Sequence, residues 1–170
     1  IPASVTSLGW SAFDSIPSLA SVRFAAGSTL TTIPEYAFNG DHITFLRLPS
    51  SVTTIGNEAF AHSRFTGFTW PSSLTSIGSG AFRESSLTGV TLPASVTSIG
   101  DQAFFYSANL AYIDLSSSLL TIGQQAFQGT ILQSIEIPST TTSIGWAAFY
   151  YVTSLTDRKS TRLNSSHLGI

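Results

Sequence analysis

The chain has no cysteine and no methionine, and only 9% of its 170 residues are charged. Without cysteine there is no disulfide framework, no thiolate metal site and no C-x-x-C redox pair. Charge is sparse in both signs, at seven basic and nine acidic residues. No basic stripe exists, which argues against nucleic acid as a partner. No apolar run is long enough for a membrane span, so no membrane insertion is expected of these residues. No nucleophile elbow, glycine-rich phosphate loop, HExxH or EF-hand loop occurs. We therefore expect no catalytic residue, no metal and no cofactor. What fills the chain is Ser, Thr and Gly around 42% hydrophobic residues. That composition fits an extracellular surface protein better than a charged cytosolic domain.

A phrase then returns seven times: Leu8-Gly-Trp-Ser-Ala-Phe13, Ile33-Pro-Glu-Tyr-Ala-Phe38, Ile55-Gly-Asn-Glu-Ala-Phe60, Ile77-Gly-Ser-Gly-Ala-Phe82, Ile99-Gly-Asp-Gln-Ala-Phe104, Ile122-Gly-Gln-Gln-Ala-Phe127 and Ile144-Gly-Trp-Ala-Ala-Phe149. Its phenylalanines are 25, 22, 22, 22, 23 and 22 residues apart. A fixed period of this size marks a solenoid, each repeat one unit stacked on the next. A single repeat cannot bury enough apolar surface to offset the entropy of ordering it, so stacking must supply the rest. At ~4.8 Å per strand, seven coils make a rod or arc roughly 30–35 Å long.

Within a unit such as Leu87–Phe104, the apolar positions Leu87, Val90 and Leu92 recur as Ile43/Leu46/Leu48, Phe65/Phe68/Trp70, Leu110/Ile113/Leu115 and Leu132/Ile135/Ile137. The last two of each set alternate with a polar residue, which predicts a short strand. A proline follows at Pro49, Pro71, Pro93 and Pro138 and should end it. The residue directly before the phrase is always a hydroxyl: Ser7, Thr32, Thr54, Ser76, Ser98, Thr121 and Ser143. We expect these to form a structural hydroxyl ladder from coil to coil. The phrase's Gly is replaced once, by Pro34, so a positive φ is not obligatory at that place. Proline there also predicts a short helical turn over Pro34–Gly40 and its equivalents, with Ala-Phe packed inward. The predicted fold is thus an α/β repeat solenoid of about seven coils, each with one strand, a turn and a short helical turn.

The solenoid is expected to span 1–156 and to start mid-repeat, at Ile1-Pro2-Ala-Ser-Val, as an uncapped fragment of a longer protein. Residues 157–170, DRKSTRLNSSHLGI, break the apolar pattern with Arg158 and Ser160 where it requires apolar residues. This tail resembles adapter or vector sequence read through as protein, and we expect it to be disordered or non-native. Without it the chain holds four basic and eight acidic residues, a net charge of −4. The two extra residues in Phe24-Ala-Ala-Gly-Ser-Thr-Leu30 should bulge as a loop. Thr141, where other coils have Val or Leu, should pack less tightly.

The residues that lie between the strand's inward positions should face outward on the concave side. Going up the stack they read Arg23, Arg47, Thr69, Thr91, Asp114 and Glu136, from basic through neutral to acidic. The neighbouring column contains Phe45, Gly67, Gly89 and Tyr112. We take Arg23, Phe45, Arg47, Thr69, Thr91, Tyr112, Asp114 and Glu136 as the candidate ligand-binding residues, around a shallow groove at the two glycines. His42 and His62, on adjacent repeats beside Asp41, are weighed as metal ligands or a hydrolase site and set aside as exposed loop histidines. Phe105-Tyr106 and Tyr150-Tyr151 are a possible contact patch or a cover for the core's outer edge.

The pattern L-x-x-V-x-L-P-x-S-V-T-x-I-G-x-x-A-F resembles the BspA-like class of leucine-rich repeats across residues 1 to about 156. The resemblance implies a binding scaffold of large surface-exposed or secreted proteins, some of them adhesins for matrix proteins or host cells, and carries over no catalytic residue. Family repeats often have Cys three places after the Phe, where this chain has Ile16, Asp41, Ser63, Ser85, Ser107, Thr130 and Val152. The function expected is non-enzymatic recognition of a protein or glycan at the cell surface or outside the cell. The alternatives are a passive structural stalk and an intracellular interaction scaffold.

Overall fold

The computed structural model describes residues 1–155. The tail set apart by the sequence lies outside the described residues. Ten strands of two or three residues occur, and no helix is present among the described residues. Six of the strands are Ser/Thr-Ile pairs: β1 (Thr32–Ile33), β3 (Thr54–Ile55), β5 (Ser76–Ile77), β7 (Ser98–Ile99), β9 (Thr121–Ile122) and β10 (Ser143–Ile144). They form one parallel sheet in the order β1-β3-β5-β7-β9-β10, six strands and so five successive turns of a β-solenoid. The other four are the strands the alternation predicts: β2 (Phe45–Arg47), β4 (Gly67–Thr69), β6 (Gly89–Thr91) and β8 (Tyr112–Asp114). They pair only two by two, β2 with β4 and β6 with β8. The first phrase, around Leu8, contributes no strand, so seven equivalent coils are not formed.

The Ser/Thr-Ile pair is a strand because it has one polar and one apolar residue in alternation. Each Ile from Ile33 to Ile122 is buried, and the hydroxyl before it is at the surface or half-buried. The hydroxyl ladder therefore sits one residue earlier than expected. Thr53 Oγ1 donates to the Thr31 carbonyl at 3.2 Å, Thr75 to Thr53 at 3.0 Å, and Thr97 to Thr75 at 3.2 Å. A second rung is made by Ser51 and Ser95, which donate to Leu30 and Leu74 at 2.7 and 2.6 Å.

The Gly after each Ile is there for closeness and not for φ. Gly56, Gly78, Gly100, Gly123 and Gly145 are all absent from the positive-φ residues. A Cβ on Gly100 would stand 2.7 Å from the Gly78 carbonyl carbon, inside any real contact. The Gly amides donate to the preceding coil's Ile carbonyl, as Gly78 does to Ile55 at 2.8 Å. Pro34 has no such proton, and it follows β1, the edge of the sheet, where no partner strand precedes it.

The helical turn expected over Pro34–Gly40 is not formed. The fourth residue of every phrase is left-handed, including Tyr36 (φ 56°), Glu58 (49°), Gln102 (56°) and Gln125 (53°). The residue four further on is left-handed too, as at Gly40, His62, Glu84 and Tyr106. Each left-handed residue turns the backbone away from the i→i−4 ladder. The N–H groups on this wall then reach the next coil: Tyr36 to the Asn57 carbonyl at 3.0 Å, Phe38 to Ala59 at 2.9 Å and Gly40 to Ala61 at 2.9 Å. A left-handed non-glycine residue costs about 1 kcal/mol or more, which these inter-coil bonds offset. Stacking thus overrides the local preference that proline signalled.

Ala-Phe does pack inward. Ala37, Phe38, Ala59, Phe60, Ala81, Phe82, Ala103, Phe104, Ala126 and Phe127 are fully buried. The seven phenylalanine rings form one stack, with centroids 5.2–5.5 Å apart. Neighbouring rings are within 8° of parallel except Phe60 and Phe82, which differ by 23°. That tilt coincides with the coil in which Phe65, Phe68 and Trp70 replace aliphatic residues. Phe68 touches Phe60 and Phe82 edge-on at 5.5 and 5.3 Å, and Trp70 lies 5.1 Å from Phe82. Three rings replace aliphatic side chains in this layer, and the gap between β4 and β6 falls beside them, although the Ser/Thr-Ile strands of the same coils keep their register.

Candidate functional site

The outward column is held in register by strand pairing. Arg47 lies beside Thr69 and Phe45 beside Gly67; Thr91 lies beside Asp114 and Gly89 beside Tyr112. Ser21 bridges to Phe45 and brings the Arg23 coil into line. All eight candidate residues, Arg23, Phe45, Arg47, Thr69, Thr91, Tyr112, Asp114 and Glu136, are exposed. Their inward neighbours Leu46, Val90 and Ile113 are buried, as the period-2 alternation requires.

The structure divides these eight in two. Arg23, Phe45, Arg47 and Thr69 line a cleft of about 850 Å³. Its far wall is the Phe24–Ser28 loop, the bulge created by the two extra residues. Thr91, Tyr112, Asp114 and Glu136 share the face but lie outside the cleft. The shallow groove expected at Gly67 and Gly89 is largely filled by the aromatics beside it. A Cβ on Gly67 would meet the Phe45 ring at 3.0 Å, and one on Gly89 the Tyr112 ring at 3.7 Å. Each ring rests on the glycine of its neighbouring coil.

Two features of the cleft were not read from the sequence. Trp70, half-buried at the end of an inward set, lines it, as do Pro49 and Pro71. The only signal was that Trp70 is too large for the layer that Leu48 and Leu92 occupy. The cleft has two guanidinium groups and no carboxylate among its lining residues. It offers cationic groups beside flat apolar rings, a combination suited to holding an anionic or aromatic group.

The histidines do not come together. His62 Nδ1 is 3.2 Å from Glu84 Oε2 on the next coil, an exposed pair. His42 is half-buried and not part of it. Among the described residues no group of three or more His, Cys, Asp and Glu could hold a metal ion. Among them, too, no helix is long and apolar enough to cross a membrane. Asp41 is buried in the polar column that also contains Ser63, Ser85, Ser107 and Thr130. Its Oδ1 accepts the Ile16 N–H at 2.8 Å, while Oδ2 has no partner. Burial pushes its carboxyl up to about 6, against the lowering effect of the Ile16 bond. Ser85 and Ser107 solve the same problem neutrally, with hydroxyls 3.1 Å apart and Ser107 bonded to the Phe82 carbonyl at 2.8 Å.

No curated protein matches the chain. Among solved structures it is similar to a leucine-rich repeat protein from Bacteroides ovatus, with 23% identity, a TM-score of 0.67, and coverage of 93% of this chain and 47% of that one. It is similar to the pneumococcal vaccine antigen PcpA at 22% identity and a TM-score of 0.59, covering 93% of this chain and 49% of that one. A leucine rich cell surface protein from Faecalibacterium prausnitzii shares 28% identity at a TM-score of 0.56, over 82% of this chain and 45% of that one. The chain thus spans about half the length of the solved proteins it resembles. A model of the BspA type leucine rich repeat region matches residues 1–109 and 31–156, with six copies. The solenoids of this kind are generally scaffolds and not enzymes. By the sequence of its repeats and by their stacking, the chain belongs to the BspA type leucine-rich repeat family.

Proposed function

We propose that the chain is a non-enzymatic recognition scaffold from a larger cell-surface or secreted adhesion protein, holding a protein or glycan ligand on its concave face. The observation that carries this reading is the 850 Å³ cleft in which Arg23, Phe45, Arg47 and Thr69 meet Trp70. The similarity to a cell surface protein supports the location. Solenoids bind along their concave surface because it presents one side chain per coil at a fixed spacing. With Arg23 and Arg47 exposed and no acid lining the cleft, the bound part of the ligand is anionic.

Binding of the whole chain to immobilised matrix glycoproteins and mucin glycans tests the reading. Arg47→Glu is expected to weaken retention at least tenfold, with the far-ultraviolet circular dichroism unchanged. Tyr112→Ala, outside the cleft, is expected to change it less than threefold. Loss with Tyr112→Ala alone would move the ligand to the C-terminal half of the face. Retention unchanged in both variants rules out the concave face.

A further inference from the structure

Of the phrase's two variable positions, the one directly after the Gly or Pro faces solvent in every coil but the second, where Glu35 is half-buried. Asn57, Ser79, Asp101 and Gln124 are exposed there although each has a coil on both sides. The same position carries Trp10 in the first phrase and Trp146 in the last. At 68% and 71% exposure they are the most exposed large apolar side chains among the described residues. Lying in the outermost phrases does not account for this. The position points outward in the interior coils as well, so a further coil would not cover either ring. Leaving two indoles in water is unfavourable, and Trp146 makes no ring contact among the described residues that would offset it.

Along the same column, in the coils between the two tryptophans, lies a polar trough whose lining residues run from Glu35 to Gln125 and include neither ring. Its centre is a depression of about 360 Å³ lined by residues that include Glu35, Asn57, Glu58, Asp101, Gln102 and Gln125. Gly80, at φ 62°, has no side chain to fill the floor. The polar groups are held in place. Tyr36 packs edge-on to Trp10 at 5.9 Å and donates its hydroxyl to Glu58 Oε1 at 3.2 Å. Gln102 Nε2 donates to Gln125 Oε1 at 2.8 Å, and Gln125 Nε2 donates to Gln128 Oε1 at 2.7 Å.

We infer that this trough is a second binding site, separate from the concave cleft, and that it takes an uncharged, extended polysaccharide laid along the stack from Trp10 to Trp146. Indole faces stack on the C–H faces of pyranose rings while the edge keeps a polar handle. Fixed carboxylates and primary amides accept from and donate to neighbouring ring hydroxyls. Glu35, Glu58 and Asp101 line the trough and no Lys or Arg does, so an anionic glycan is repelled. The strand spacing of ~4.8 Å and the 5.2–5.5 Å between successive Phe ring centroids are both close to the length of one pyranose in an extended chain. A polysaccharide running along the stack therefore meets the same column once per sugar, and the two indoles stand about 30 Å apart, six coil steps. A basic peptide would satisfy the charges, but the residues that line the depression include no large apolar side chain to pack its side-chain stems.

Calorimetric titration of the whole chain with cellohexaose, β-1,4-mannohexaose and chitohexaose tests the inference. At least one hexasaccharide is expected to bind, with the matching disaccharide at least tenfold weaker. Trp10→Ala and Trp146→Ala should each weaken binding about tenfold. The double variant should abolish it, and because both rings are exposed its circular dichroism and melting point should not change. Arg47→Glu, in the concave cleft, should leave hexasaccharide binding intact. The inference is overturned if no hexasaccharide binds, if the double variant binds as the parent does, or if Arg47→Glu removes the binding. It is also overturned if hexalysine binds instead and loses affinity in Glu58→Gln and Asp101→Asn, which would make the trough a site for basic peptides.

Discussion

Two walls of the same stack behave differently. The Ser/Thr-Ile wall is one parallel sheet of six strands, whereas the wall of β2, β4, β6 and β8 breaks into two pairs between β4 and β6. The spacing along both is set by the same coils, so the difference lies in side chains. On the continuous wall every coil presents Ile inward and a glycine or proline next, and the backbones meet at contact distance. On the broken wall the inward layer changes from Leu46 and Leu48 to Phe68 and Trp70, then to Val90 and Leu92. A ladder of identical residues propagates; a layer of mixed sizes interrupts itself. The cleft lies on the interrupted wall, where residues are free to differ.

The strongest test of the regular stacking is to empty the Phe column behind it. Phe104→Ala removes a ring that is fully buried between Phe82 and Phe127, and should cost about 3–5 kcal/mol. Phe45→Ala on the broken wall, where the ring is 58% exposed, should cost about 0.5 kcal/mol. Urea unfolding of both variants checks the contrast, and equal losses would defeat it. Next in size, Gly100→Ala puts a methyl against the Gly78 backbone and should cost about 1–3 kcal/mol. Gly9→Ala, with nothing within 4 Å, should be close to neutral in the same measurement.

The broken wall can also be mended. Phe68→Val with Trp70→Leu gives the third coil two of the three inward residues of the fourth; the lost ring contacts should cost about 2–4 kcal/mol, while the change removes the size mismatch along the wall. Hydrogen exchange should then show new protection at Thr88 and Val90, the first sign of β4 pairing with β6. Unchanged exchange would place the cause of the break elsewhere.

The smallest effect concerns the buried polar column. Asp41 is held near 6, above its ordinary 3.8, so the folded state keeps a proton that the unfolded chain gives up. Its contribution to stability is therefore undiminished below about 3.8, falls as the pH rises to about 6, and stays low above that. Asp41→Ser, which copies Ser63 and Ser85 in the same column, should remove this loss and melt higher than the parent at pH 7. Melting curves at pH 4 and pH 7 decide it; a parent whose stability rises across that interval while the variant's does not would reverse the sign.

Much of this was legible in the residues. The period, the inward Phe stack and the outward column from Arg23 to Glu136 follow from spacing alone. The column's alternation was enough to put all eight candidates at the surface, though not to bind anything there. Three local readings failed, and each failed to stacking. Pro34 favours a helical turn, but the next coil's carbonyls draw the amides of Tyr36, Phe38 and Gly40 along the stack. The hydroxyl ladder moved by one residue because Thr-Ile is a strand when a neighbour pairs with it and a turn when none does. The groove at Gly67 and Gly89 closed because Phe45 and Tyr112 cover the glycines.

The sequence by itself determined the repeat, its period, its buried residues and the family, because each is a pattern along the chain. Only the tertiary structure decided which backbone bonds form, where the wall of β2, β4, β6 and β8 breaks, and that Arg23 and Arg47 share a cleft with Trp70. Those depend on how one coil sits against the next, and a linear sequence does not record the contact between residues 22 apart until the coils are stacked.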